Sequence, residues 1–318
     1  MNTKEIIRAF LGVEPARRLA QLGADTFEKV SEIRLRADKP MLLRISGQDF
    51  AILEGSLVKM AQVNDLKRIY SPSVDDIGET LERISQYSFY AFESELQMGY
   101  ITLPGGHRVG IAGQAILEAG TVRAWRHING LNIRVAHSIK GCADSVLPHI
   151  LLKAKRPLMH TMIISPPGCG KTTLLRDIVR QISDGVSGFA SMTVGLVDER
   201  SEVAGCYQGR AQNDVGIRTD VLDSCPKAEG MIMLLRAMAP DVIAVDELGG
   251  EKDARAVADV LNAGVKLLCT AHGNSVDDMR KNPALAQLVN CGIFERFIVL
   301  GAPGQISGIY DMDGNYVA

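Results

Sequence analysis

A glycine-rich segment that contains a lysine and a hydroxyl residue is the strongest chemical signal in this sequence. It follows an apolar run at residues 162–164 and precedes a segment with helical character. Its residues are Pro167, Gly168, Cys169, Gly170, Lys171, Thr172 and Thr173. A loop of this kind between a strand and a helix leaves backbone N–H groups free for phosphate, and the helix N-terminus adds partial positive charge. The pattern therefore predicts a loop that binds the phosphates of a nucleotide.

Two side chains of this loop have specific predicted roles. Lys171 is expected to reach the β- and γ-phosphates, and the hydroxyl of Thr172 is expected to bind Mg²⁺. The loop departs from the pattern G-x-x-x-x-G-K-[ST] at its first position, which is Ser165. Serine tolerates unusual backbone angles less well than glycine, so this position bears on nucleotide affinity. The alternative interpretation is a turn rich in Gly and Pro that precedes a helix by chance.

A second chemical signal is a pair of carboxylates that follows the apolar residues 242–245. Asp246 would hold Mg²⁺, directly or through water, and Glu247 would orient or deprotonate the attacking water. Open α/β sheets bind their ligands at the carboxyl ends of parallel strands, which is where both acids lie. The alternative is a pair that caps a helix beginning near Glu251. Capping explains one acid but not both, so the pair favours ATP hydrolysis.

Two further segments place polar residues at the ends of predicted strands. Residues 198–202 supply acids at the same sheet edge, and we assign Glu199 among them to the metal site. Residues 269–273 contain His272, at a position from which it could sense the γ-phosphate. A single histidine at a strand end is often structural, but an edge shared with the phosphate loop favours a functional role. The predicted catalytic residues are therefore Lys171, Glu247 and His272.

These residues require a sheet that brings several strand ends together. Strands are predicted at residues 161–164, 193–197, 242–245, 266–270 and 296–300. Helices are predicted at residues 171–182, 227–238, 253–262 and 276–281. Apolar runs separated by helices predict a mostly parallel sheet that is covered on both faces. Residues 144–318 are therefore predicted to form an α/β P-loop domain.

The first part of the chain has a different pattern, in which short helices and short strands are mixed. Helical segments are predicted at residues 6–11, 16–22, 74–87 and 88–98. Strands are predicted at residues 32–35, 41–45, 50–53, 100–103, 107–112 and 131–136, with a turn at 105–106. These segments predict a smaller α+β domain over residues 1–143, with strands that pair in an antiparallel sheet.

Composition excludes several classes of protein. The chain has 318 residues, with 35 Lys and Arg against 37 Asp and Glu, so it has no global basic field for binding nucleic acid. No apolar run approaches the roughly 18 residues of a membrane span. The six cysteines include no C-x-x-C pair, which argues against a zinc site or a disulfide framework. We therefore expect a cytoplasmic protein without a transmembrane segment of its own, whose association with a membrane would come through a partner.

The four chemical segments, in this order, resemble the secretion-ATPase branch of the RecA-like P-loop proteins. Longer phrases are similar to the sporulation stage III AA family of endospore-forming bacteria, at residues 87–91, 105–113, 198–209 and 225–231. This resemblance implies a RecA-like ATPase that uses ATP and Mg²⁺ and forms a homo-hexamer. It also implies a cytoplasmic protein held at the mother-cell membrane by integral membrane proteins of a channel toward the forespore.

The resemblance to ring-forming motors also gives arginines a possible function. In such motors the nucleotide lies near a subunit boundary, where arginine forks neutralise phosphate charge during transfer. The alternative is that these arginines are surface or salt-bridge residues. The candidates are Arg123, Arg126, Arg134, Arg210, Arg218 and Arg236.

Two other functions fit parts of the pattern. A nucleic-acid-stimulated P-loop motor would use the same core, but the near-zero net charge and the 5% aromatic content count against it. A non-hydrolysing scaffold that binds nucleotide to control assembly is opposed by Lys171, Thr172, Asp246 and Glu247, and only Ser165 supports it. The leading prediction is an ATPase whose two domains move on ATP binding and hydrolysis, and which couples that movement to transport or assembly at the membrane.

Overall fold

The computed structural model describes residues 3–86, 92–97, 99–137, 139–152, 158–186 and 188–318. The chain forms two compact units, Met1–His137 and Ser138–Ala318. The domains 1–143 and 144–318 stay a prediction, and residues 139–143 belong to the second unit in this structure. Within the described ranges, no helix has both the length and the apolar character needed to cross a bilayer.

Unit 1 is a seven-stranded antiparallel sheet with helices from the beginning and middle of the unit. Its strand order is β4-β3-β2-β1-β7-β6-β5. The helices are α1 (Thr3–Phe10), α2 (Val13–Ala20), α3 (Ala24–Phe27), α4 (Val74–Ile84) and α5 (Glu93–Gln97). The strands are β1 (Val30–Arg36), β2 (Lys39–Ile45), β3 (Gln48–Leu53), β4 (Ser56–Lys59), β5 (Tyr100–Leu103), β6 (His107–Glu118) and β7 (Thr121–Arg134). Two 3₁₀ turns, Met60–Gln62 and Leu66–Arg68, lie between β4 and α4.

The core of unit 1 forms because apolar residues alternate along the central strands and repeat along the helices. Ile33 on β1 is paired with Ile133 on β7, and both side chains are buried. Helix α4 begins with a capping box, in which Ser73 and Asp76 each bind the backbone N–H of the other. Its residues Ile77, Leu81 and Ile84 then lie in the same core, as their helical spacing predicts.

Strands β6 and β7 extend well beyond the rest of the sheet as a two-stranded ribbon. The ribbon comprises residues 112–118 and 121–129, none of which is buried. It closes through Ala119 and Gly120, both with positive φ, in the conformation of a tight two-residue hairpin turn. The sequence prediction placed strands only at residues 107–112 and 131–136. The extension was missed because no residue of the ribbon is buried, so its sequence has no pattern of core-facing apolar residues.

Unit 2 is an α/β unit with a seven-stranded sheet in the order β10-β9-β11-β12-β8-β13-β14. Its strands are β8 (Thr161–Ser165), β9 (Val194–Asp198), β10 (Thr219–Asp223), β11 (Val242–Val245), β12 (Lys266–His272), β13 (Arg296–Ala302) and β14 (Gln305–Asp311). Its helices are α6 (Leu147–Ile150), α7 (Lys171–Asp184), α8 (Lys227–Ala237), α9 (Glu251–Asn262), α10 (Val276–Lys281) and α11 (Ala286–Asn290). Every pair of neighbouring strands is parallel except the β13–β14 hairpin.

Helices cover both faces of this sheet, as the continuous apolar strands predict. On β8, Ile163 packs in one core cluster with α7, whereas Met162 and Ile164 pack in the other with α8 and α9. All the residues of β8, β9 and β11 are buried. Strands that are buried on both faces need helices on both sides. Because these strands are parallel, the loops that follow them lie at one common edge of the sheet.

The predicted strands of unit 2 are all present in the structure, although the sequence did not reveal β10 and β14. Strand β10 contains Asp220 and Asp223, and β14 contains Gly308, so neither has a continuous apolar pattern. In unit 1 the predicted helix 74–87 ends at Ile84. The predicted helix 88–98 is described only as α5, because residues 87–91 and 98 lie outside the described ranges.

We predict that the half-buried His160 makes the free energy of unfolding decrease as pH is lowered from about 6.5 to about 4. Its Nδ1 accepts the N–H of Leu267 at 3.2 Å, and burial, assisted by the charge of Lys266, lowers its pKa from 6.5 to about 4. In that window the unfolded chain binds a proton that the folded chain does not, so the unfolding free energy decreases. His160→Asn should flatten this dependence in urea unfolding measured at several pH values.

The exposed His127 provides the matched control. His127→Asn should leave the pH dependence of the unfolding free energy unchanged. An unaltered slope in His160→Asn between pH 6.5 and 4 would contradict the prediction. The buried His107, whose pKa burial also lowers to about 4, retains its own contribution in both variants.

Candidate functional site

The predicted phosphate loop lies between β8 and α7. Gly168 and Gly170 have φ of 78° and 95°, in the left-handed region that favours glycine, and Gly170 caps the N-terminus of α7. Ser165, the unusual first residue, is buried at the end of β8 and is not among the residues with positive φ. The serine in place of glycine therefore produces no left-handed strain at that position.

A chain of polar contacts joins the lysine of this loop to acids on the neighbouring strands. The Nζ of Lys171 lies 3.0 Å from Nδ1 of His272, and Nε2 of His272 lies 3.1 Å from Glu247. The other carboxylate oxygen of Glu247 accepts a hydrogen bond from Arg200 at 2.9 Å. Lys171 is only 8% exposed, so its charge is held in a confined position. The structure thus brings together the three predicted catalytic residues.

Asp246 lies between two hydroxyl groups. Thr172 Oγ1 donates to one carboxylate oxygen at 2.9 Å, and Thr270 Oγ1 donates to the other at 2.6 Å. Thr270 also accepts the backbone N–H of Glu247 at 2.8 Å. No individual role was predicted for Thr270, although it belongs to the segment around His272. Thr270 contacts both acids because β12 pairs with β11, and this pairing is not visible in the sequence.

The loop after β9 is organised by a buried carboxylate. Asp198 is 1% exposed and accepts the backbone N–H groups of Glu202, Val203 and Ala204 at 2.8–3.0 Å. Burial raises the pKa of Asp198, and these hydrogen bonds act against that increase. Asp198 therefore shapes the loop that carries Glu199 and Arg200.

Helix α7 is joined to the same loop through Arg176. Its guanidinium donates to the carbonyl of Val203 at 2.6 Å and to that of Glu202 at 2.7 Å. Burial lowers the pKa of Arg176, whereas the carboxylates of Asp198 and Asp246 act in the opposite direction. Arg176 thus connects the helix that follows the phosphate loop with the loop that carries Glu199 and Arg200.

Glu199, which we assigned to the metal site, forms an ion pair in this structure. Its Oε2 accepts a hydrogen bond from Lys227 at 2.6 Å. A cavity of about 520 Å³ lies beside this pair and is also lined by Glu247 and His272. A metal role for Glu199 stays a prediction, and Lys227 already occupies one oxygen of its carboxylate.

The oxygen donors of Thr172 and Asp246 fit Mg²⁺, which prefers hard oxygen ligands and retains several waters. The two side chains already lie within 2.9 Å of each other, next to the phosphate loop. In the part of the chain that the structure describes, no cluster of three or more His, Cys, Asp or Glu side chains could hold a metal. Thr172 and Asp246 supply two protein ligands, so an ion bound to them would be held mainly by phosphate oxygens and water.

Two of the six candidate arginines have a side-chain partner among the contacts described for this structure, and neither partner is a predicted site residue. Arg218 donates to the carbonyl of Ser183, and Arg123 forms an ion pair with Glu118 in the ribbon. A role of any candidate arginine at a subunit boundary stays a prediction.

Comparison with known sequences identifies relatives along almost the whole chain. The family model described as Sporulation stage III, protein AA matches residues 1–317. Stage III sporulation protein AA of Bacillus subtilis (strain 168) is 40% identical over 303 residues, which are 94% of this chain and 92% of that protein. The uncharacterized protein ycf45 of Porphyra purpurea is 33% identical over 180 residues, covering 55% of this chain and 29% of that protein. The family resemblance found in the sequence is confirmed.

Comparison with solved structures identifies an ATPase and a pilus retraction motor. The Legionella pneumophila ATPase DotB has a TM-score of 0.56 and 16% identity, over 91% of this chain and 76% of that one. The pilus retraction motor PilT, solved with bound ADP, has a TM-score of 0.51 and 16% identity, over 86% of this chain and 75% of that one. These similarities confirm the predicted fold, a RecA-like P-loop unit after an α+β unit.

We predict that Asp198→Ala destabilises the protein by about 2–4 kcal/mol, because it leaves three buried N–H groups without an acceptor. Urea unfolding followed by circular dichroism measures this change. Asp220→Ala, at an exposed position on the neighbouring strand β10, is the control and should have little effect. Equal stability of the two variants would show that the carboxylate of Asp198 does not hold the loop.

Proposed function

This chain belongs to the sporulation stage III protein AA family, and we propose that it is an Mg²⁺-dependent ATPase that performs mechanical work at a membrane complex. The observation that carries the proposal is the convergence of Lys171, Thr172, Asp246, Glu247 and His272 through direct contacts at one sheet edge. A phosphate loop, a metal-binding pair and a base beside them form the set that phosphoryl transfer to water requires.

Nucleotide binding requires the loop to present its N–H groups and Lys171 to change partner. The left-handed glycines Gly168 and Gly170 leave room for phosphate oxygens near the N-terminus of α7. The Nζ of Lys171 contacts His272 in this structure, and phosphate oxygens would replace the imidazole as its partner. His272 would then lie beside the terminal phosphate and could respond to its presence.

Thr172 and Asp246 are the residues that would hold Mg²⁺. When bound, the ion neutralises negative charge that develops on the phosphate oxygens during transfer. Asp246 contributes a carboxylate oxygen that contacts Thr172, while its other oxygen is occupied by Thr270. The protein's part is to keep this oxygen beside the phosphate loop.

Glu247 is the proposed general base, because its carboxylate is next to the residues that hold the phosphates. Both of its oxygens have partners, since His272 contacts Oε1 and Arg200 contacts Oε2. Each carboxylate oxygen can accept more than one hydrogen bond, so Glu247 can orient water and accept its proton beside these contacts. Arg200 is exposed, so its ion pair with Glu247 is the weaker constraint of the two.

We extend the proposal to assembly and location. The chain would act as a homo-hexamer on the cytoplasmic side of the mother-cell membrane, bound to integral membrane proteins of a channel complex toward the forespore. Family membership and a fold shared with a pilus retraction motor support this assignment. Hydrolysis would change how the two units pack and thereby move or assemble the partner.

We predict that Lys171→Ala abolishes nucleotide binding, because the variant lacks the ammonium group that faces the phosphates. Calorimetric titration with ATP and Mg²⁺ measures the effect. Lys281→Ala, at an exposed position at the end of α10, should bind as the wild type does. Full affinity in Lys171→Ala would place the nucleotide elsewhere.

We predict that Glu247→Gln binds ATP but hydrolyses it roughly 10²–10⁴-fold more slowly, which is the usual contribution of a general base. Phosphate release is the measurement, and Glu229→Gln at an exposed position of α8 is the control. Normal turnover by Glu247→Gln would remove this residue from the water-activating role while leaving the nucleotide site intact.

A further inference from the structure

Asp246, proposed to bind the metal, and Glu247, the proposed base, share a buried neighbour on the adjacent strand. Strands β11 and β12 are parallel, with Val245 opposite Cys269, so the next residues along the two strands are Asp246 and Thr270. The side chain of Thr270 is completely buried. Its hydroxyl must therefore find its hydrogen-bond partners within the protein.

The hydroxyl of Thr270 has both a donor and an acceptor role. It donates to Asp246 Oδ1 at 2.6 Å and accepts the backbone N–H of Glu247 at 2.8 Å. The carbonyl of Thr270 also accepts the N–H of Leu248 at 2.8 Å. One residue thus fixes the carboxylate of the first acid and the backbone on both sides of the second.

The backbone at Glu247 needs such support. Its φ is 60°, a left-handed conformation that residues other than glycine adopt at an energetic cost. The contacts with Thr270 stabilise this turn, which carries the carboxylate of Glu247 to His272 and Arg200. Without them, the chain after β11 could relax into an ordinary extended conformation.

We propose that Thr270 is a positioning residue for the hydrolysis proposed above, on which this inference rests. Through Oδ1 it orients Asp246 so that Oδ2 faces Thr172 and the metal-binding position. Through the Glu247 N–H it sets the direction of the proposed base. Thr270 itself touches neither water nor nucleotide in this scheme.

The test uses substitutions of nearly equal size in the full-length protein. Thr270→Val removes both hydrogen bonds of the hydroxyl, whereas Thr270→Ser retains the hydroxyl group. Thr161→Val is the matched control, because Thr161 is equally buried and its hydroxyl donates only to the carbonyl of Met159 at the opposite end of the sheet. If Thr270→Val does not fold, Thr270→Cys replaces it, since a thiol is only a weak donor.

The first readout is binding of AMP-PNP, an ATP analogue that is not hydrolysed, by calorimetry with Mg²⁺ and with EDTA. Thr270→Val should weaken binding roughly tenfold to a hundredfold with Mg²⁺, the size expected for lost hydrogen bonds to a charged group. Binding in EDTA should not change, because Lys171 and the phosphate loop are intact. Thr270→Ser should restore most of the loss, and Thr161→Val should match the wild type.

The second readout is ATP turnover at saturating nucleotide and Mg²⁺. Thr270→Val should reduce kcat even at saturation, because the base is misdirected. If the wild type neither binds AMP-PNP nor releases phosphate from ATP, the proposed function itself is wrong. If the wild type does both, and a folded Thr270→Val keeps its Mg²⁺ dependence and kcat, only the role of Thr270 is overturned.

Discussion

The site depends on the carboxylate of Asp246, which stands between two hydroxyl groups from different parts of the fold. Thr172 comes from the first turn of α7, and Thr270 comes from β12. Neighbouring strands lie about 4.8 Å apart, so a short side chain can bridge from one strand end to the next. The parallel sheet holds β11 and β12 at that spacing, and packing of α7 against the sheet keeps Thr172 in place. Without this packing the acid would have no fixed direction.

The charged groups of the site are paired with one another in this structure. Lys171 and Glu247 lie on opposite sides of His272, and Arg200 completes the series. In these contacts Nδ1 of His272 faces the ammonium group of Lys171, and Nε2 faces the carboxylate of Glu247. A nucleotide would therefore bind by exchange of partners, and part of its binding energy would be offset by the contacts that it replaces.

The sequence predicted the fold class and the phosphate loop because both have strong local patterns. The strands that surround the site are continuous apolar runs, and the glycines precede a lysine at the start of a helix. Contacts between strands could not be predicted in this way, since the sequence does not specify which residues lie opposite each other. Thr270 was therefore only part of a motif, and the ion pair between Glu199 and Lys227 was missed entirely. The polar β10 and the glycine-containing β14 were missed for lack of apolar periodicity.

The ribbon formed by residues 112–118 and 121–129 has a mechanical consequence. A strand rises about 3.3 Å per residue, so the closing turn stands roughly 20 Å beyond the strands that flank its base. At that length, a rotation of about 10° at the base of the ribbon would displace its closing turn by roughly 4 Å. The hairpin would therefore convert a small rotation at its own base into a displacement of several ångströms at its closing turn.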